Sequence, residues 1–242
     1  MTKLSLPSIN LPDQQRLWLA WSVHLLTATG ALWGFLAMVA AFNQQWQQAF
    51  LWLFAAGFVD AVDGTLARRW QVHGLTPGFD GAMLDNIVDY LTYVIVPAVM
   101  LHFGGLLPPS LAIPGIGVMV LASAYQFCQI DAKTEDHYFK GFPSYWNAVV
   151  FYLFLLNWST AVNLAIILIF AILVFVPIKY VYPSRMIRFQ KETVALTTLW
   201  AVAIFVLFFQ FPTPSPWLLY ASLLYVIYYA AISLYLTAVG KT

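Results

Sequence analysis

The sequence predicts an all-α fold: a polytopic membrane helical bundle of about eight transmembrane helices, with the N- and C-termini cytoplasmic. Three observations carry that expectation. The 242 residues are 62% hydrophobic and only 9% charged, with a mean hydropathy of +0.77, whereas a soluble domain carries about 25% charged residues. A water-facing surface cannot be built from this composition, so the surrounding solvent is lipid. Apolar segments recur at lengths near the roughly 20 residues that a membrane helix needs. The basic residues, finally, are segregated to one side of those segments.

The elements run as follows. Residues 1–16 lack the charged, apolar, small-residue order of a signal peptide and read as a short cytoplasmic or interfacial lead-in. Apolar segments then cover residues 17–42, 46–69, 82–104, 110–130, 145–158, 161–182, 192–211 and 216–238. The fifth is short, and its boundary with the sixth falls near "LNWST". The Pro-rich breaks "GGLLPPS" and "FPTPSPW" read as tight turns, not domain linkers. Residues 1–242 are therefore expected to form a single membrane domain.

With eight spans and a cytoplasmic N-terminus, alternate loops share one side. Those loops contain Lys3, Arg16, Arg68, Arg69, Lys133, Lys140, Lys179, Arg185, Arg188, Lys191 and Lys241, which is all eleven basic residues. The opposite loops, near 43–45, 105–109, 159–160 and 212–215, hold none. Dropping or adding one helix spoils this segregation. The acidic residues also fall in or beside the cytoplasmic half. A net charge of +1 gives no pull toward nucleic acid, and the single cysteine, Cys128, excludes an internal disulfide framework. Cys128 sits on an apolar helix and reads as packing. His24, His73, His102 and His137 lack metal-ligand spacing and read as structural or interfacial.

Half of the ten acidic residues lie in one stretch, "DAVDGTLARRWQVHGLTPGFDGAMLDNIVD", Asp60 to Asp89. At about 100° per residue, Asp60, Asp63, Gly64 and Ala67 share one stripe of the second helix. Gly81, Asp85 and Asp89 step by four along the third. If the two helices are antiparallel neighbours, four carboxylates converge between them. Such a cluster at membrane depth must be protonated, paired with bases or bound to cations. Oxygen ligands without His or Cys suit Mg²⁺ or Mn²⁺. Mg²⁺ is usually held together with substrate phosphates, and Arg68 stands one turn beyond Asp63 and Gly64 to meet one. The Gly and Ala positions remove side chains where a helix or a ligand must approach.

These residues carry a resemblance. The pattern Asp60-x₂-Asp63-Gly64-x₂-Ala67-Arg68, followed by Gly81-x₃-Asp85-x₃-Asp89, resembles the signature of the CDP-alcohol phosphotransferases at all eight defining positions. In that family a CDP-linked lipid gives up its phosphatidyl group to an alcohol and releases CMP. The resemblance implies metal ligation by Asp60, Asp63 and Asp85, with Asp89 at the edge of the same site and two Mn²⁺ or Mg²⁺ ions held there. It implies that Gly64, Ala67, Arg68 and Gly81 line the cytidine and pyrophosphate pocket. Asp89 is the candidate catalytic base. Asp80 lies outside the matching positions and reads as a loop or supporting residue.

Twelve residues, Arg69 to Asp80, separate Arg68 from Gly81, where many members have about eight. This spacer and the eight expected helices are similar to the bacterial subgroup that joins CDP-diacylglycerol to choline. "FKGFPSYWN" and "VPIKYVYPSR" are similar to that subgroup as well. The expected setting is then the bacterial inner membrane, with the site facing the cytoplasm; a homodimer is compatible with it. A quaternary ammonium donates no conventional hydrogen bond, so aromatic faces are its natural partners. Tyr90, Tyr145, Trp146, Tyr180 and Tyr182 are the candidates on the cytoplasmic side, against a background in which aromatics form interfacial belts. Lys179, Arg185 and Arg188 are candidate phosphate contacts, although positive-inside placement also explains them. "DAKTEDHYFK", residues 131–140, reads as a solvated loop. Serine, inositol phosphate or glycerol phosphate as acceptor stays open. So does a cation transporter built on the same carboxylates, although no second acidic motif mirrors the first.

Overall fold

The computed structural model describes residues 13–134, 136, 138–183, 185–186 and 188–239. The lead-in up to residue 12 with Lys3, together with His137 and Lys241, lies outside the described residues. Helix makes up 75% of the structure and sheet is almost absent. Helices α1 (Asp13–Phe42) and α2 (Trp46–Arg69) are joined by three residues and pack along each other. A single turn, α3 (Val72–Leu75), follows. Helix α4 (Gly81–Asp89) continues through a π-helical stretch, Tyr90–Ile95, into α5 (Val96–Phe103). The chain then forms α6 (Ala112–Cys128), strand β1 (Tyr138–Lys140), α7 (Trp146–Leu156), α8 (Thr160–Leu173), strand β2 (Lys179–Val181), α9 (Gln190–Phe209) and α10 (Pro216–Val239).

The outer surface is apolar. Trp18, Leu25 and Phe35 on α1, Leu199 and Phe209 on α9, and Trp217 and Leu224 on α10 are all exposed. An apolar outer face of this extent is stable only against lipid or a partner. Among the described residues, five helices are long and apolar enough to cross a membrane: Asp13–Phe42, Trp46–Arg69, Gly81–Phe103, Gln190–Phe209 and Pro216–Val239. Helices α6, α7 and α8 are apolar but shorter. The 11 residues of α7 rise about 16 Å at 1.5 Å each, roughly half the hydrocarbon thickness. Its Val150, Phe151 and Leu153 are instead buried in the protein core.

The expected sixth segment, 161–182, is not one helix. It ends at Leu173, because the following backbone pairs elsewhere. The Leu173 carbonyl accepts from the Phe142 amide at 3.0 Å, and the Ile178 carbonyl from the Gly141 amide at 2.9 Å. Pro177 cannot continue a helical ladder. Gly141 takes φ +77, and a Cβ there would collide with the Val174 carbonyl. Strands β1 and β2 then pair antiparallel, Phe139 opposite Tyr180. The fold is therefore helical with one small two-stranded sheet, and residues 138–140 are a strand where a solvated loop was expected.

Small residues on α1 set the spacing around the site. Gly30, Gly34, Ala37 and Ala41 are buried along one face. A Cβ on Gly30 would stand 2.5 Å from Val88 Cγ1, and one on Gly34 would stand 2.9 Å from Leu91 Cδ2. Close backbone approach through small residues is how helices associate without a hydrophobic driving force. Helix α1 thus braces α2 on one side and α4 on the other. At the far end of the bundle, Tyr152 donates to Ser222 Oγ at 2.8 Å and accepts from Trp200 Nε1 at 3.0 Å, tying α7 to α9 and α10.

Candidate active site

The site begins where α2 ends and α4 starts. The Asp80 carboxylate accepts from the amides of Ala82 at 3.0 Å and Met83 at 2.9 Å, which caps α4 and fixes where its first turn lies. Asp80 is thus a helix cap, in line with a supporting reading. From that start, Asp85 and Asp89 fall on the face turned toward Asp60 of α2. Carboxylate oxygens of Asp60, Asp85 and Asp89 all lie within 4.8 Å of one another. The three side chains are only partly buried, so the cluster remains open to a ligand.

Asp63 stands apart from that trio. It is 4% exposed and lies beside Thr27 of α1. Three residues along an α-helix leave it about 60° around the axis from Asp60. Asp89, expected at the edge, is one of the three clustered carboxylates. No ion pair among the described residues joins any of the four acids to a base.

Two groups that sequence reasoning missed sit at this cluster. Tyr93 donates its hydroxyl hydrogen to Asp60 Oδ2 at 2.8 Å. It lies in the π-helical stretch directly after Asp89, and such irregular turns are frequent at functional sites. Lys133, in the loop before β1, carries the positive charge that reaches Asp60, Asp85 and Asp89. Tyr93 follows Asp89 by four residues, a spacing that could have drawn attention. Lys133 had no local signal beyond its side of the membrane.

The donor set fits a divalent ion. Every ligand is a hard carboxylate oxygen, with no imidazole or thiolate in the group.

The glycines divide into two kinds. A Cβ on Gly64 would meet only the mobile Arg68 Nη1, at 3.2 Å, so this face is open. A Cβ on Gly81 would stand 2.6 Å from His24 Cε1. The Cβ direction of Gly81 is taken up by a helix contact: the buried His24 packs over it, with Nε2 2.9 Å from Thr76 Oγ1 and the ring 4.5 Å from Phe79. Ala67 and Arg68 border an open groove of about 600 Å³, shared with Arg16, Gln71, His73, Gly74 and Leu75.

The acceptor candidates separate in the same way. A row of rings leads away from Asp60: Tyr93 to Tyr145 at 6.0 Å, Tyr145 to Phe139 at 6.3 Å, and Phe139 stacked on Tyr182 at 4.9 Å. Tyr93, Tyr145, Phe139 and Tyr182 all keep accessible surface. Trp146 has none, and its indole donates to Ser123 Oγ at 2.7 Å, which places it in the core. Tyr180 is buried between Phe142 and Tyr229, and burial pushes its phenol up to about 12. Tyr90 turns the other way, donating to the Val120 carbonyl at 3.1 Å with its ring against Phe127. These three placements follow from strand pairing and the α6 contact, which orient side chains in ways that sidedness alone does not reveal.

Of the basic candidates, Lys179 pairs with Asp136 at 2.6 Å and Arg185 lies over the Tyr182 ring at 5.4 Å, while Arg188 is exposed. Lys140 pairs with Asp131 at 2.6 Å. The Lys140 hydrogen bond, reinforced by Gln129, holds the Asp131 carboxyl below its ordinary value. Partial desolvation raises Asp136, but bonds from Lys179 and Thr134 outweigh it and hold that carboxyl low as well. The two pairs pin the loop that carries Lys133.

The model of the family described as CDP-alcohol phosphatidyltransferase matches residues 22–178. The chain is similar to the phosphatidylcholine synthase of Legionella pneumophila subsp. pneumophila, at 42% identity over 226 residues, covering 90% of this chain and 88% of that protein. It is 38% identical over 200 residues to the phosphatidylcholine synthase of Pseudomonas aeruginosa, covering 83% and 84%. It is 36% identical over 222 residues to that of Rhizobium meliloti, covering 91% and 89%.

Proposed function

The chain belongs to the CDP-alcohol phosphatidyltransferase family, and from that premise we propose that it transfers the phosphatidyl group of CDP-diacylglycerol to choline, with release of CMP. The observation that carries the chemistry is the trio Asp60, Asp85 and Asp89 within 4.8 Å of one another, beside a row of aromatic rings. In this reading Asp60, Asp63, Asp85 and Asp89 hold two divalent ions, Mn²⁺ or Mg²⁺. When bound there, such ions would supply Lewis-acid stabilisation of the negative charge that develops on the leaving CMP. Arg68 and the open faces of Gly64 and Ala67 receive the cytidine and pyrophosphate. Gly81 serves the same pocket indirectly, by letting α4 seat against His24.

Asp89 takes the proton from the choline hydroxyl. The oxygen lone pair forms the new P–O bond to the β-phosphorus in line, and the P–O bond to CMP breaks with its electron pair leaving on CMP. No covalent enzyme intermediate is needed. Tyr145 and Tyr182, with Tyr93 and Phe139, offer ring faces to the trimethylammonium group, each contributing about 0.5–2 kcal/mol.

Residues 1–242 act as one membrane domain in this reading. The three shorter apolar helices join the five long ones to make eight passes of the chain, α7 making its pass inside the protein core with the non-helical residues beside it shielded from lipid, and both termini and the site lie on the cytoplasmic side of a bacterial inner membrane. The segregation of all eleven basic residues supports that arrangement.

The deciding experiment supplies purified protein with CDP-diacylglycerol, Mn²⁺ or Mg²⁺, and choline, serine, inositol phosphate or glycerol phosphate in turn. CMP release is expected with choline, lost in EDTA and restored by metal. Release with another acceptor but not with choline, or full activity in metal-free buffer, overturns the reading.

A further inference from the structure

The turn that follows β2 holds an arginine against an aromatic ring. The Tyr182 carbonyl accepts from the amides of Arg185 and Met186, each at 2.9 Å. Met186 is fully buried with Tyr138, Val181 and Leu236. The backbone of the turn is thus anchored, which leaves the exposed Arg185 side chain as the part that can move. Its guanidinium carbon lies 5.4 Å from the centroid of the Tyr182 ring, within the range of a cation–π contact. Phe139 is stacked on the same ring at 4.9 Å, with 26° between the planes. A ring has two faces; with Phe139 on one, the guanidinium takes the other.

No carboxylate explains that position. Lys140 and Lys179, the basic residues of the two paired strands, are each committed to an aspartate, and Arg185 is in no ion pair among the described residues. Lys179 also lies over a ring, Tyr138 at 5.8 Å, but its bond to Asp136 accounts for its place. Positive-inside placement accounts for the side of the membrane on which Arg185 stands, but not for its rest on a ring. A planar, weakly hydrated guanidinium is suited to an aromatic face, and a quaternary ammonium binds such faces for the same electrostatic reason. Tyr182 is the last ring of the row that starts with Tyr93 at Asp60. A face of that row on which the chain places its own cation has the electrostatics to hold a foreign one. Two cations cannot share it, because they would overlap and repel each other.

We infer that the Arg185 guanidinium is a built-in occupant of the acceptor site, which fills the Tyr182 face when that face is empty and must swing off it before a quaternary ammonium can seat there. Arg185 thereby sets the acceptor affinity, holding it below what the rings alone would give. That the face belongs to the acceptor rests on the proposed function. The competition between the guanidinium and a quaternary cation does not depend on turnover.

The test uses the full chain in lipid nanodiscs. Equilibrium dialysis reads the binding of radiolabelled choline and of tetramethylammonium, which carries the cation without the hydroxyl. CMP-release kinetics are measured beside it. Arg185→Gln removes the internal cation and is expected to tighten binding of both probes by about two- to fivefold, the size of one exposed ring contact. The KM for choline should fall by the same factor. Arg185→Lys keeps a cation at the ring and should stay closer to the parent. Tyr182→Leu removes the face, and in that background Arg185→Gln should leave binding unchanged. This last arm separates competition for the ring from plain charge repulsion, which would survive loss of the ring. Unchanged or weakened binding in Arg185→Gln overturns the inference. So does a gain that persists undiminished in Tyr182→Leu, and so does a failure of both the parent and Arg185→Gln to bind either probe. A raised KM for CDP-diacylglycerol in Arg185→Gln, with no gain for choline, overturns it in favour of a phosphate contact. If the parent releases no CMP with choline, the proposed function falls, while the tetramethylammonium arm still decides the competition.

Discussion

The Tyr93 hydroxyl donates to Asp60 Oδ2 at 2.8 Å, from a π-helical turn that begins one residue after Asp89. The Asp60 carboxylate is thereby oriented by a neutral donor on one of its oxygens. Groups that orient metal ligands in this way are typically worth about 10–100-fold in metal affinity. Tyr93→Phe is expected to raise the Mn²⁺ concentration needed for half-maximal CMP release by about that factor. At saturating metal, most of the turnover should return. An unchanged metal requirement would mean that the hydrogen bond is incidental.

Gly81 and His24 make a second pair that can be tested. A Cβ at position 81 would press on the His24 ring at 2.6 Å, and overpacking costs about 1–3 kcal/mol. Gly81→Ala should therefore shift the start of α4 and reduce both thermal stability and activity. Because the clash involves a single side chain, His24→Ala in the same chain should restore part of both. A double-mutant cycle measures this coupling directly. If the two substitutions add with no coupling, Gly81 acts through a bound ligand and not through helix packing.

The aromatic row makes its own prediction. Tyr145 stands between Tyr93 and Phe139 and keeps accessible surface. Losing one ring face of about 1–2 kcal/mol corresponds to roughly 5–30-fold. Tyr145→Leu should raise the KM for choline by that amount and leave the KM for CDP-diacylglycerol within a few-fold. Trp146→Phe, in contrast, removes a core hydrogen bond to Ser123 and should lower stability without a selective effect on choline. Equal loss of affinity for both substrates in Tyr145→Leu would remove the ring from the acceptor site.

The difference between Tyr145 and Trp146 also marks how far the sequence could be read. The carboxylate cluster was legible because a helical period of 3.6 places Asp85 and Asp89 on one face, and no tertiary contact is needed to see it. The five long apolar helices were legible from composition and length. Strand pairing was not: Tyr138 to Lys140 find partners some forty residues away, and a three-residue strand carries too little alternation to announce itself. Once the strands pair, Tyr180 is turned inward and Lys179 is committed to Asp136. The place of Asp63 was not legible at this scale, since a 60° offset on α2 sets it beside Thr27 and apart from the trio. The contact of Gly81 with His24 was not legible either, because no local pattern identifies a residue 57 positions earlier as its neighbour.

Asp89 provides the sharpest separation of roles within the cluster. Asp60 and Asp85 share its carboxylate neighbourhood, but Asp89 is the one assigned to take the choline proton. Asn keeps the shape and one oxygen for a metal contact, and cannot accept a proton at neutral pH. A positioned base contributes about 10²–10⁴ in rate. Asp89→Asn should therefore lower kcat by that factor while CDP affinity in Mn²⁺ stays within a few-fold of the parent. Asp60→Asn and Asp85→Asn should weaken metal and CDP binding together with turnover. Calorimetry of CDP binding beside CMP-release kinetics reads both quantities on each variant. If Asp89→Asn loses binding in parallel with turnover, its role is metal ligation, like that of its two neighbours. If it binds normally and turns over at more than a tenth of the parental rate, it is not the base, and a substrate phosphate oxygen becomes the better proton acceptor.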